Sequence, residues 1–173
     1  MKKEKVFICF MLYSMIGWFY EVFLEVVIYR WGYTDRGVLF GPYCPVYGVG
    51  ATIFIFAFYQ YKKDTGKNPV LKVLLLFLGC MFIATFIELI TTYILEFLTG
   101  SWPWQTYHDY AINFEGRIAL SPSIRFGLGG LLFLYVIQPF FDKMLGGLKE
   151  STVKRISMVL LVIFVTDFLI TII

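Results

Sequence analysis

Long apolar runs separated by short polar clusters set the pattern of this chain. A membrane-spanning helix takes roughly 20 mainly apolar residues, because each advances the backbone about 1.5 Å across a hydrocarbon core about 30 Å thick. Five runs reach that length: 6–28, 38–59, 70–97, 118–140 and 156–173. The pattern therefore predicts an all-α fold, an integral membrane bundle of five transmembrane helices forming a single transmembrane domain over residues 1–173. The first run follows Lys2, Lys3 and Lys5, yet it is too long for a signal-peptide core, contains Glu21 and Glu25, and has no small-residue cleavage site. It is expected to be a retained first helix.

Composition strengthens this picture. The chain is 59% hydrophobic, 20% aromatic and only 16% charged, with a mean hydropathy of +0.75, where soluble domains carry about 25% charged residues. Cys9, Cys44 and Cys80 are few and odd in number, which excludes a disulfide scaffold. A net charge of +3 without a basic block argues against nucleic acid as a partner. One histidine and three scattered cysteines give no metal-ligand spacing. There is no Gly-rich phosphate loop, so the chain brings no ATPase of its own. No cofactor or metal is expected.

Basic residues set the orientation. All ten lysines and Arg155 fall in segments 1–5, 60–69 and 142–155 or at Lys72, whereas Arg30, Arg36, Arg117 and Arg125 lie on the other side. This bias predicts the N-terminus inside and the C-terminus outside. A multi-pass protein of the plasma membrane, bacterial in origin, is the expected setting. The outer segment 99–115 is rich in aromatics, including Trp102 and Trp104, and reads either as an interfacial belt or as a lid.

Charges inside the spans narrow the chemistry. A charged side chain at a helix centre costs roughly 2.5–3.5 kcal/mol on insertion scales, so it faces the bundle interior, pairs, or is protonated. Ser14, Trp18, Glu21 and Glu25 share one face of the first helix, and Thr85, Glu88, Thr92 and Glu96 share one face of the third. Two readings follow: the carboxylates pair with Arg36, Arg117 or Arg125 as helix-to-helix glue, or they line a polar pocket open to the outside. Asp167 has only Thr166 and Thr171 beside it in sequence.

The densest motif is Gly41-Pro42-Tyr43-Cys44-Pro45-Val46-Tyr47-Gly48. Pro42 and Pro45 lack amide donors and Gly41 and Gly48 permit unusual dihedrals, so the second helix is expected to start near Pro45, after irregular backbone over 38–44. Free amides there would attract an anion, with Arg36 assisting. Gly48 and Gly50 also suit close helix packing. Cys44 offers a thiol at a helix start, but no histidine is near it in sequence. Each half carries a carboxylate helix, an arginine-bearing outer loop and an aromatic-Gly-x-Gly helix, which suggests a parallel duplicated hairpin followed by a fifth helix.

Gly41-Pro42-Tyr43-Cys44-Pro45-Val46-Tyr47-Gly48 resembles the G-P-x-C-P-[IV]-Y-G signature of the ABC-transporter permease family of the CmpB type. Asn113-Phe114-Glu115-Gly116-Arg117-Ile118 with Phe126-Gly127 is similar to that family's second block, and Ser14, Gly17, Trp18 and Glu21 fit its first-helix pattern. Trp102-Pro103-Trp104 stands where a Trp-Asp-Tyr-like element is usual. The resemblance covers residues 10–135 and implies transport, with Gly41, Pro42, Cys44, Pro45, Tyr47, Gly48, Gly116 and Gly127 as structural motif positions. It also implies a homo-oligomer or a separate ATPase subunit as partner, within the lipid bilayer. A permease-like protein would take a small polar, zwitterionic or anionic solute at an outward-facing site made by Glu21, Glu25, Arg36, Glu88, Arg117 and Arg125. Arginines would hold a carboxylate or phosphate and glutamates an amine or proton. Two alternatives stand beside it. One is a membrane enzyme acting on a lipid head group or isoprenoid phosphate, with Glu21 or Glu88 as base. The other is a non-catalytic assembly or regulatory subunit.

Overall fold

The computed structural model of the chain describes residues 2–30, 32–33, 39–63, 66, 68–102 and 104–172. It is mostly helical, with five continuous helices among the described residues. Helix α1 (Lys3–Phe23) runs on into a widened π-helical turn, Leu24–Tyr29, and stops at Arg30, whose φ of 56° is left-handed. Helix α2 covers Pro45–Lys63 and α3 covers Pro69–Thr99. A 3-10 turn (Gln105–Asp109) and a short hairpin, β1 (Asn113–Phe114) with β2 (Ile118–Ala119), lead to α4 (Leu120–Leu132). A second π turn, Phe133–Ile137, joins α4 to α5 (Gln138–Gly146), and α6 spans Glu150–Ile172.

Local chemistry fixes several of these boundaries. The Asn68 side chain accepts from the amides of Val70 (2.9 Å) and Leu71 (3.3 Å), and Pro69 occupies the first helical position of α3. Gly100 ends α3 with a φ of 78°, a conformation that costs a residue with a Cβ. Three stretches are long and apolar enough to cross a membrane by length and composition: Lys3–Ile28, Pro69–Thr99 and Leu120–Gly146. Helix α2 is diluted by Gly48, Gly50, Gln60, Lys62 and Lys63, and α6 carries Lys154, Arg155 and Asp167.

Two boundaries differ from the apolar pattern. The helix through α4 and α5 continues beyond 140 to Gly146, and α6 begins at Glu150 rather than 156. Hydropathy marks only the apolar stretch, whereas the backbone stays helical through polar end residues whose long side chains reach outward. At the start of α2 the reverse occurs: residues 39–44 are apolar yet irregular, and the helix begins at Pro45, as the two prolines require.

The chain forms two compact units, one from residues 1–53 with 139–173 and the other from 54–138. In the first, α1 packs with α6 around buried Met11, Leu39 and Tyr43, with Phe7, Phe10, Leu160 and Phe164 against them. Phe10 meets Phe164 edge-on at 5.7 Å between centroids. Close approach of α1 and the start of α2 depends on glycine: a Cβ at Gly48 would lie 2.6 Å from the Phe10 carbonyl oxygen, and one at Gly17 would overlap the Tyr47 ring. In the second unit α3 packs along α4, where Gly127 faces the Phe77 ring and Gly130 faces Cys80. The Thr85 hydroxyl donates to Ser123 Oγ at 2.8 Å. Phe82, Phe86 and Phe97 on α3 point away from this packing, and Phe97 is 90% exposed. Such a face is suited to hydrocarbon rather than water.

Candidate functional site: carboxylates, aromatics and Arg117

Both predicted polar stripes turn inward within their own units. On α1, Ser14 and Glu25 are buried and Trp18 and Glu21 half-buried, while Phe19 and Phe23 are exposed. On α3, Glu88 and Thr92 are buried and Thr85 and Glu96 half-buried, while Phe86 and Ile90 are exposed.

In the first unit, Glu21 accepts a hydrogen bond from the Tyr47 hydroxyl. Glu25 lies within the widened turn at the end of α1 and is only 3% exposed. Arg36, assigned from sequence to the same site, lies outside the described residues. The signature loop is organised by a residue the sequence left without long-range partners. Asp167 of α6 accepts from the amides of Phe40 (3.0 Å) and Gly41 (2.8 Å) and from the Tyr43 hydroxyl. The amides of Phe40 and Gly41, before the helix start at Pro45, are thus taken by the chain's own carboxylate. Cys44, buried, donates its amide to the Ser14 carbonyl at 2.9 Å and so ties the start of α2 to α1.

In the second unit, the segment after α3 folds back onto that helix. The Tyr107 hydroxyl donates to Glu88 Oε1 at 2.9 Å. Tyr107 meets Tyr110 edge-on at 5.6 Å, and Arg125 donates to the Tyr110 hydroxyl and to Ser121 Oγ, both at 3.2 Å. Two tryptophans brace the hairpin: Trp102 Nε1 donates to the Gly116 carbonyl (3.3 Å) and Trp104 Nε1 to that of Arg117 (3.0 Å). The hairpin reverses through Glu115 (φ 52°) and Gly116 (φ 63°), closed by the Arg117 amide on the Phe114 carbonyl at 2.9 Å. A Cβ at Gly116 would run into the His108 ring, so that position needs glycine twice over.

This turn delivers Arg117, which is 8% exposed. Its guanidinium carbon lies 4.2 Å from the centroid of the Tyr93 ring and 4.3 Å from that of Trp102. Nη2 contacts Glu96 at 2.5 Å and Nε faces Glu115 at 3.4 Å, while the Tyr93 hydroxyl donates to Glu115 at 3.1 Å. Burial by itself would lower the arginine's pKa; the hydrogen bond and charge of Glu96 outweigh it, raise the pKa and keep the guanidinium charged.

Of the residues proposed from sequence as one site, the structure places Glu88, Arg117 and Arg125 in one unit, joined through the segment 104–125, and Glu21 and Glu25 in the other. It missed Tyr107, Tyr93 and Asp167 as partners, because hydroxyl-to-carboxylate bonds between distant elements leave no spacing signal. Among the described residues, no group of three His, Cys, Asp or Glu side chains is placed to hold a metal ion. Chemically, the arrangement presents hydrogen-bonded carboxylates and a buried guanidinium, groups that recognise charge.

Among curated proteins and solved structures, none matches the chain. The match is to a family: the sequence model of ABC_trans_CmpB, described as "Putative ABC-transporter type IV", covers residues 8–172 and so includes the signature loop, both carboxylate helices, the Arg117 hairpin and Asp167. A match over nearly the whole chain shows that it belongs to the ABC_trans_CmpB family.

Proposed function

We propose that the protein is a permease-like membrane component that binds or carries a small polar solute, zwitterionic or anionic, at an outward-facing site. The reading takes all five helices as spans of one transmembrane domain, with the N-terminus inside and the C-terminus outside. It retains the duplicated hairpin plus fifth helix and a bacterial plasma membrane as its setting. As the chain has no phosphate loop, a separate ATPase subunit or a second copy of the chain would complete the machine. Family membership and the apolar helices support the transporter-like part.

One observation carries the site: Glu88, buried on an apolar helix, is held by Tyr107 of the same outer segment that positions Arg117 and touches Arg125 through Tyr110. An ionisable group kept at that depth, at the cost of burial, is a functional candidate by default. The test is native mass spectrometry of the protein in native lipid discs. Glu88→Gln still accepts from Tyr107, so the fold should survive while a co-purifying solute is lost. Glu21→Gln should behave likewise. Unchanged solute occupancy in both variants overturns the assignment.

A second reading, a non-catalytic assembly subunit, is favoured by the first unit, where Glu21 and Asp167 are bonded within the protein itself. Full function of a Glu21→Leu, Tyr47→Phe double variant would support it.

A further inference from the structure

We infer that the Arg117 hairpin is the recognition point for a compact zwitterion, a molecule carrying an ammonium a few ångströms from a carboxylate or phosphate. The inference rests on the solute-binding reading above and names its substrate class. The Arg117 guanidinium lies against two aromatic rings, 4.2 Å from the Tyr93 centroid and 4.3 Å from that of Trp102. Its remaining hydrogen-bond donors lie in the guanidinium plane. Glu96 takes Nη2 and Glu115 stands 3.4 Å from Nε, while Nη1 is buried and donates no hydrogen bond. Buried donors of a charged group are costly when left unused.

The group is also rigid. The backbone of Arg117 is fixed by its amide on Phe114 and by Trp104 on its carbonyl. A plain surface ion pair needs none of this, whereas a binding group benefits from pre-organisation.

Charge selects the ligand. Glu96, at 2.5 Å, neutralises Arg117, and Glu115 adds a second carboxylate whose side chain is 57% exposed. A bare anion would meet more negative than positive charge, and a bare cation would meet the guanidinium. A zwitterion satisfies both, with its anionic group on the unused Nη1 donor of Arg117 and its ammonium on Glu115. Free solutes such as amino acids and phospholipid head groups share this chemistry.

Isothermal titration of the full-length protein in detergent tests it, with glycine and O-phosphoethanolamine as zwitterions and acetate, inorganic phosphate and ethanolamine as single-charge probes. A zwitterion should bind saturably and at least tenfold more tightly than any single-charge probe. Arg117→Lys, which keeps the charge but not the stacked plane, should weaken it at least tenfold. So should Glu115→Gln, an exposed change that spares the fold, whereas Trp102→Phe should retain binding. In a second arm, phosphatidylethanolamine retained in lipid discs by wild type and lost in Arg117→Lys, with no soluble zwitterion binding, would support the inference and identify a lipid source. Equal binding of acetate, phosphate or ethanolamine, or indifference to both Arg117→Lys and Glu115→Gln, would overturn it. If another solute is lost in Glu88→Gln but unaffected by Arg117→Lys, this inference falls and the solute-binding reading stands. Absence of any bound solute removes both.

Discussion

Asp167 lies 126 residues from Gly41 along the chain and 2.8 Å from its amide. All its partners at the loop are donors: two amides and a hydroxyl, and its two oxygens accept from all three. Phe40 is exposed and its amide can turn to water, so the cost of losing Asp167 falls mainly on the Gly41 amide and the buried Tyr43 hydroxyl. Each such orphaned group costs about 1–3 kcal/mol. Asp167→Ala should therefore lower the thermal unfolding midpoint in detergent clearly, with Tyr43→Phe lowering it less; equal midpoints for Asp167→Ala and wild type would show that the loop holds itself. At this scale the sequence was only half legible. Residue types and stripes could be read because helical spacing puts them on one face. Partners could not, because Tyr47 to Glu21, Tyr107 to Glu88 and Asp167 to Gly41 each join elements separated by unknown geometry.

Among elements, the signature helix shows how much a missing Cβ can matter. Gly48 and Gly50 stand two residues apart on α2, yet a Cβ at Gly48 would sit 2.6 Å from backbone oxygen of α1 and one at Gly50 would meet nothing within 4 Å. Gly48→Ala should lower stability by about 1–3 kcal/mol through overpacking, whereas Gly50→Ala should be neutral or stabilise by up to about 1 kcal/mol, since alanine loses less entropy in a helix. Thermal unfolding of the two variants side by side checks this, and matching behaviour would disprove the packing argument. The start of α2 at Pro45 could be read in advance, because proline chemistry is local. The ends of α5 and α6 could not, because hydropathy ceases where the apolar stretch does and the helix does not. The two π turns carry no sequence mark at all.

For the whole molecule, orientation is the property most directly open to test. The native thiols Cys9, Cys44 and Cys80 are all buried and should react little. Against that background, Thr106→Cys in the outer segment should be labelled by a membrane-impermeant maleimide on intact cells, and Lys149→Cys, in the turn before α6, only after permeabilisation. The opposite pattern would invert the topology. Membrane residence and family could be recognised from apolar runs and one dense motif because both are properties of contiguous sequence. The hold of α6 on the signature loop also has a consequence in time. Tyr43 and Asp167 are 124 residues apart, which at roughly 5–20 residues per second is about 6 to 25 s of synthesis. Through that interval the nascent chain carries its most distinctive segment without the carboxylate that shapes it. The loop should become protease-resistant only once the last helix has left the ribosome, so the first part of the motif to be translated is among the last to mature.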